Sequence, residues 1–374
     1  MSTENSTTRR RLVWAVPGAA LVVVAAAVTL PMTAGASPAL PQRSAAQLLV
    51  DVSKADGTPL SGTVVETARL GFPALPDVGG ASITPMSLVS GSHTARVWYD
   101  GADKARVALV SDLAETDLVR NGRDVWLWTS GVNSAQHATL PARKAETAPA
   151  PSAESLTPQQ AAEKALAAID PSTKVTVDGT ASVAGRDAYE LVLQPRDTRS
   201  LVGDVRLAID SETGVPLRVQ VNAAGSTGRP AFETAFTSVS FAKPSAAVFR
   251  FSPPPGAHVS ELGSSGPSGL SDKADRAGTP GSGPRVIGSG WTAVLETTGV
   301  SLPSGGGGHH DGESPLGALT KAMTPVSGAY GHGQLLRTKL LSVLLLDDGR
   351  LLVGAVPPAV LEQAAATAPT AVAP

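Results

Sequence analysis

From residue 60 onward apolar and polar residues alternate with a period of two, the pattern of strands that bury one face. Residues 62–70, 93–99, 104–110, 117–121 and 125–129 read as strands separated by Gly, Asp and Asn turns, with a Gly/Pro-rich insertion over 73–92. Ahead of them, 45–52 reads as a short amphipathic helix with Leu48, Leu49 and Val52 on one side. An Ala/Pro-rich stretch, 139–155, then reads as a flexible connection. It leads to a helix opened by Thr157-Pro158-Gln159-Gln160, with Thr157 as N-cap and Pro158 at the first helical position, ending before Pro171.

A second set of strands spans 174–251. Val205, Leu207 and Ile209 alternate with Asp204, Arg206 and Ala208, and Leu217, Val219 and Val221 alternate with Arg218, Gln220 and Asn222, so 210–214 is a hairpin turn. Phe232 and Phe236 share one parity while Val239 and Phe241 take the other. A bulge near Thr237 reconciles them.

Pro253-Pro254-Pro255-Gly256 ends this region, and a Ser/Gly/Pro linker follows. The C-terminal unit shows a continuous apolar strand over 340–346, an Asp347-Asp348-Gly349 turn, a second apolar strand over 351–356 and a short helix. Both strands are apolar on both faces and need a covering layer on each.

These elements predict an α+β protein, mainly β. Roughly 11 or 12 antiparallel strands form one large curved sheet, a half-open barrel with helices on its concave face, and a small α+β unit is appended. The domain expectation is an N-terminal export segment at 1–36, the half-barrel at 44–259, a linker at 260–290, the small unit at 291–366 and a disordered tail at 367–374.

The N-terminal segment places the rest of the chain. Arg9, Arg10 and Arg11 precede an uncharged apolar run from Leu12 to Leu30, and Thr33-Ala34-Gly35-Ala36 supplies the small residues of a cleavage site. The run is also long enough to be retained as a single-pass anchor. Either outcome puts everything after Ala36 outside the cytoplasmic membrane. Cysteine is absent from the 374 residues, so disulfides, thiolate metal sites and cysteine-linked lipid anchors are excluded. With 30 Lys and Arg against 32 Asp and Glu, no charge excess exists to attract nucleic acid.

Tyr189-Glu190-Leu191-Val192-Leu193, Leu207-Ala208-Ile209-Asp210, Thr213-Gly214-Val215-Pro216-Leu217-Arg218-Val219, Phe236-Thr237-Ser238-Val239-Ser240-Phe241, Phe249-Arg250-Phe251 and Pro254-Pro255-Gly256-Ala257 together resemble the second half of the LolA-like fold. That superfamily includes the lipoprotein carrier LolA, the N-terminal domain of the sigma-E regulator RseB (MucB) and mycobacterial lipid-binding lipoproteins. The resemblance covers residues 44–259. It implies an apolar cavity under a helical lid that holds acyl chains of lipids or lipoproteins, or, in an RseB-like protein, a membrane partner such as an anti-sigma factor. The acylated cysteine of the lipid-binding lipoproteins has no counterpart here. Residues 326–356 resemble C-terminal extensions of actinobacterial relatives.

The candidate cavity or core residues are Trp126, Trp128, Val205, Leu207, Ile209, Leu217, Val219, Val221, Phe232 and Phe236. Trp126 and Trp128 share one face of their strand and Val125 and Leu127 the other, and one of these pairs faces the cavity. Sequence does not separate cavity wall from sealed core. His309-His310-Asp311 has ligand chemistry but follows four glycines, and reads as a solvated loop with no metal. Arg69, Arg96, Arg106 and Arg218 lie on strands, with solvated faces as their default. There is no G-x-S-x-G elbow, no HExxH spacing and no cofactor fingerprint in a strand-to-helix setting. The expectation is therefore a binding protein without cofactor, not an enzyme.

Overall fold

The computed structural model describes residues 39–72, 90–110, 114–140, 170–261, 284–300 and 323–367. The export segment, the helix expected at 157–169, the His309-His310-Asp311 motif and the C-terminal tail lie outside the described residues.

Helix α1 (Ala45–Lys54) opens with a capping box. The Ser44 hydroxyl accepts from the Gln47 amide at 3.3 Å, and the Ser44 amide donates to Gln47 Oε1 at 2.9 Å, which satisfies two of the donors a helix start leaves orphaned. Twelve strands then form one open sheet. They are β1 (Leu60–Arg69), β2 (Ser90–Tyr99), β3 (Lys104–Val110), β4 (Glu115–Asn121), β5 (Asp124–Thr129), β6 (Ser134–Thr139), β7 (Thr173–Val183), β8 (Arg186–Pro195), β9 (Val202–Asp210), β10 (Pro216–Ala223), β11 (Phe232–Ser240) and β12 (His258–Glu261).

The spatial order is β12-β6-β5-β4-β3-β2-β1-β11-β10-β9-β8-β7. The chain steps outward from β1 to β6, restarts at the opposite edge with β7, and steps back until β11 pairs with β1. Every neighbouring pair is antiparallel except β12, which adds in parallel to β6. The outer strands β12 and β7 do not pair, so the sheet is not closed into a barrel.

Two irregularities anticipated by the sequence shape the β9–β11 region. Thr63 pairs with Ser238 and Val64 with Phe236, so Thr237 is the extra residue of a bulge, and its hydroxyl donates to the Thr63 carbonyl at 3.2 Å. This puts Phe236 and Val239 into one cluster despite their opposite parity. Gly62 lies beside the bulge, where a Cβ would stand 2.3 Å from the Ser238 carbonyl oxygen. The hairpin turn between β9 and β10 is tied by Asp210, whose Oδ1 accepts from the Thr213 amide at 2.8 Å and its hydroxyl at 2.9 Å. Gly214 closes that turn at φ +74°, with α1 so near that a side chain would meet the Asp51 carbonyl.

The C-terminal unit is a six-stranded sheet built from β13 (Arg285–Ile287), β14 (Val294–Thr297), β15 (Thr324–Gly328), β16 (Gly331–Arg337), β17 (Ser342–Leu346) and β18 (Leu351–Gly354), in the order β13-β14-β18-β17-β16-β15. Strand β13 lies within the stretch that reads as linker in the sequence. Helix α2 (Pro358–Thr367) covers one face, packing Leu361, Ala364 and Ala365 against Leu344, Leu346 and Leu352. The buried Arg350 holds the helix end, donating to the Ala365 carbonyl at 3.0 Å and to Asp348 at 2.7 Å.

The two sheets meet directly. Leu340, Trp291 and Ala355 of the small unit pack against Leu70, Val202, Val205, Val221, Ala231 and Phe232 of the large one. Backbone hydrogen bonds from Lys339 to Leu70 and from Leu201 to Ala355, both 2.7 Å, cross the junction, as does the bond from Trp291 Nε1 to Thr173 Oγ1 at 2.7 Å. This junction is one of the coverings that the apolar strands of the small unit require.

Candidate functional site

Antiparallel register carries a side chain's face from strand to strand, because directly paired residues point the same way. Following the pairs defines an inner face of the large sheet, the one that carries α1. One row across it runs Ala68, Phe232, Val221, Val205, Leu193 and Val175. The next runs His93, Glu66, Thr234, Val219, Leu207, Leu191 and Val177. A third holds Leu109, Ala95, Val64 and Phe236, and a fourth holds Leu127, Leu118, Val107 and Val97.

The inner face is covered unevenly. At the β7–β9 end α1 lies on it, with Leu48 packed among Tyr189, Leu191, Ile209, Leu193 and Leu207. The small unit covers Val205, Val221 and Phe232. Near the other edge, Leu118 is 45% exposed although it sits between its partners Val107 and Leu127.

At this edge it is the outer face that is packed. The segment around Phe249 and Phe251 lies there, and Trp128, Val119, Asp117 and Ala135 are buried. Asp117 pairs with Arg106 at 2.6 Å; Arg106 also donates to the Val248 carbonyl at 3.3 Å and lies over the Trp98 ring.

The ten sequence candidates thus separate. Trp126 and Trp128 stand on the outer face, where both contact Phe251 and Trp126 stacks on His137; their neighbours Val125 and Leu127 face inward with Leu118. Leu207 and Ile209 pack with α1, and Val205, Val221 and Phe232 pack with the small unit. Phe236 joins Leu217, Val64 and Ala208 in one cluster. Val219 is half-buried between Thr234 and Leu207.

The candidate arginines have ordinary partners or solvent. Arg106 is tied to Asp117, Arg218 to Glu190 on the outer face, and Arg96 is exposed. Asp347 and Asp348 form the turn expected of them, with Asp348 receiving the Arg350 amide.

Sequence reading missed Glu66. It is 2% exposed, in the middle of the inner face between Val64 and Ala68. Its Oε1 and the hydroxyl of its partner Thr234 are both buried with no hydrogen-bond partner. Burial pushes the Glu66 carboxyl above the ordinary range, with His93 opposing. The available signal was a Glu at a buried parity in the run Val64-Val65-Glu66-Thr67-Ala68. Among the described residues no cluster of His, Cys, Asp and Glu has the makings of a metal site. An open cleft of about 310 Å³ between β15 and β16, around His332 and Asp347, lies on the small sheet, away from this face.

The scaffold is thus an open antiparallel sheet with an apolar inner face and a helix laid against it. Residues 93–249 match the MucB/RseB N-terminal domain. The chain is similar to solved structures of MucB. One is the Pseudomonas aeruginosa MucA/MucB complex, at 19% identity over 86% of this chain and 96% of that one, with a TM-score of 0.43. Another is MucB bound to MucA(peri), at 17% identity over 88% and 100%, TM-score 0.44. A LolA superfamily protein from Nitrosomonas europaea aligns at 12% identity over 56% of this chain and 99% of its own, TM-score 0.21. No curated protein matches the chain.

Proposed function

We propose that this protein binds an acyl-chain-bearing lipid or lipoprotein on the inner face of its large sheet, outside the cytoplasmic membrane, and that it catalyses no reaction. The observation that carries the reading is Leu118, exposed at the centre of the apolar row Leu127-Leu118-Val107-Val97. Apolar surface left to water gains roughly 25 cal/mol per Å² when a hydrocarbon chain covers it. The adjacent row through Val64 and Phe236 packs with Val97 and Val107 in one cluster. The export segment at 1–36 supports the location. Among the described residues no helix is long and apolar enough to cross a membrane. On this reading 44–259 is the binding half-barrel, 260–290 the linker and 291–366 an appended docking unit.

The test is mass spectrometry of a solvent extract of protein purified from its native host, together with Leu118→Glu. An acyl-containing ligand in the parent, lost in the variant while its melting transition persists, supports the reading. A parent with no extractable lipid that also fails to bind a fluorescent fatty acid overturns it.

The match of 93–249 to the MucB/RseB N-terminal domain favours a second reading, a regulatory protein that holds a membrane partner such as an anti-sigma factor. The small unit would then be the docking element. A specific membrane protein would co-purify with the full chain and be lost on deletion of 291–374. Unchanged recovery after that deletion would assign docking to the large sheet instead.

A further inference from the structure

We propose that Glu66 and Thr234 form a polar anchor on the inner face, which accepts a hydrogen bond from an uncharged hydroxyl or amide head of an amphiphilic ligand. The inference rests on the binding reading above and adds the chemistry of the ligand's head. Glu66 and Thr234 are direct partners across β1 and β11, and paired side chains on one face are about 5 Å apart at Cβ. Each carries a buried oxygen with no hydrogen-bond partner. Two such atoms side by side are unusual, because a buried polar group left unpaired gives up its hydration without return.

Their surroundings set the ligand's shape. Apolar residues flank the pair on both strands, Val64 and Ala68 on β1 and Phe232 and Phe236 on β11. Along the row, Val219 and Leu207 follow on one side and His93 on the other. The row runs from the pair through Val219 to Leu207, which packs with α1, and the neighbouring Phe232 packs with the small unit. A single polar spot within hydrocarbon suits a molecule with one neutral hydrogen-bonding head and a long apolar body. A head with a donor hydrogen satisfies the pair, because Glu66 Oε1 and Thr234 Oγ1 both offer unpaired acceptor lone pairs. Burial also disfavours bringing a second negative charge beside this carboxyl.

Titration calorimetry on the full chain with 1-decanol and decyl methyl ether separates the outcomes, because the two neutral probes differ in the donor. The parent is expected to bind 1-decanol roughly tenfold tighter, the effect of one hydrogen bond to an otherwise unpaired buried acceptor. Glu66→Leu should equalise the probes by weakening 1-decanol and leaving the ether unchanged, and Thr234→Val should narrow the gap without changing the fold of β11. Equal binding of both probes to parent and Glu66→Leu would overturn the anchor while leaving the binding reading standing. Binding of neither probe to the parent would overturn both.

Discussion

His137 stacks on Trp126 with ring centroids 4.3 Å apart and is gripped at both nitrogens, Nδ1 by Glu261 at 3.0 Å and Nε2 by Asp124 at 3.1 Å. Strand β6 supplies the imidazole, and the strands on either side of it supply the two carboxylates. Charge at this ring therefore helps to hold the edge strand β12 on the sheet.

The hydrogen bond to Glu261 raises the His137 pKa above its ordinary 6.5; Asp124 adds to this and burial opposes it. A raised folded-state pKa means that the stabilisation is complete below 6.5 and is lost as pH climbs through the folded value. The His137 ring proton, followed by NMR, should titrate with a midpoint above 6.5, and Glu261→Gln should bring it down. A midpoint at or below 6.5 in the parent would show that the two carboxylates do not act on the ring.

Arg106 and Asp117 form a second test. Asp117 is 3% exposed, so removing Arg106 strands a charge inside the outer-face cluster. Arg106→Leu should cost about 3 kcal/mol in urea unfolding, at the low end for a buried pair because the arginine is half-buried. The double variant Arg106→Leu/Asp117→Leu should recover most of that loss. If the double variant is as unstable as the single one, the damage comes from lost packing over Trp98, not from the uncompensated carboxylate.

Glu66 should destabilise the parent increasingly as pH rises. Burial raises its folded-state pKa above 4.5, so the folded chain keeps the proton longer than the unfolded one, and stability falls as pH increases above 4.5. Glu66→Gln removes the ionisation and is expected to melt at the parent's temperature near pH 4 and several degrees above it at pH 8. A melting difference that does not change with pH would mean that folding leaves the Glu66 pKa where it is in the unfolded chain.

The sheet-to-sheet junction should be energetically real. Leu340 is buried among Leu70, Val202 and Ala231, and Leu340→Ala should cost about 2–4 kcal/mol in urea unfolding. Trp291→Phe, which gives up the bond to Thr173, should cost about 1 kcal/mol. Losses within 0.5 kcal/mol for both would indicate that the two sheets are independent folding units.

Much of this architecture could be read from the chain alone, because strand periodicity and turn chemistry are local. The parity conflict between Phe236 and Val239 required a bulge at Thr237, and Asp210 with Gly214 required a turn. The rows Val205-Leu207-Ile209 and Val219-Val221 had to share a face, whatever lay against it. Tertiary structure decided what covers each residue, since β1 meets β11 only after the chain has laid down nine intervening strands. That pairing sets Thr234 beside Glu66; the Phe251 segment packs on Trp126 and Trp128 on the face away from the apolar rows, and those rows are shared between α1, the small unit and the exposed stretch at Leu118. Alternation reports which residues point together; burial, and with it the chemistry of Glu66, depends on contacts between segments far apart in the chain.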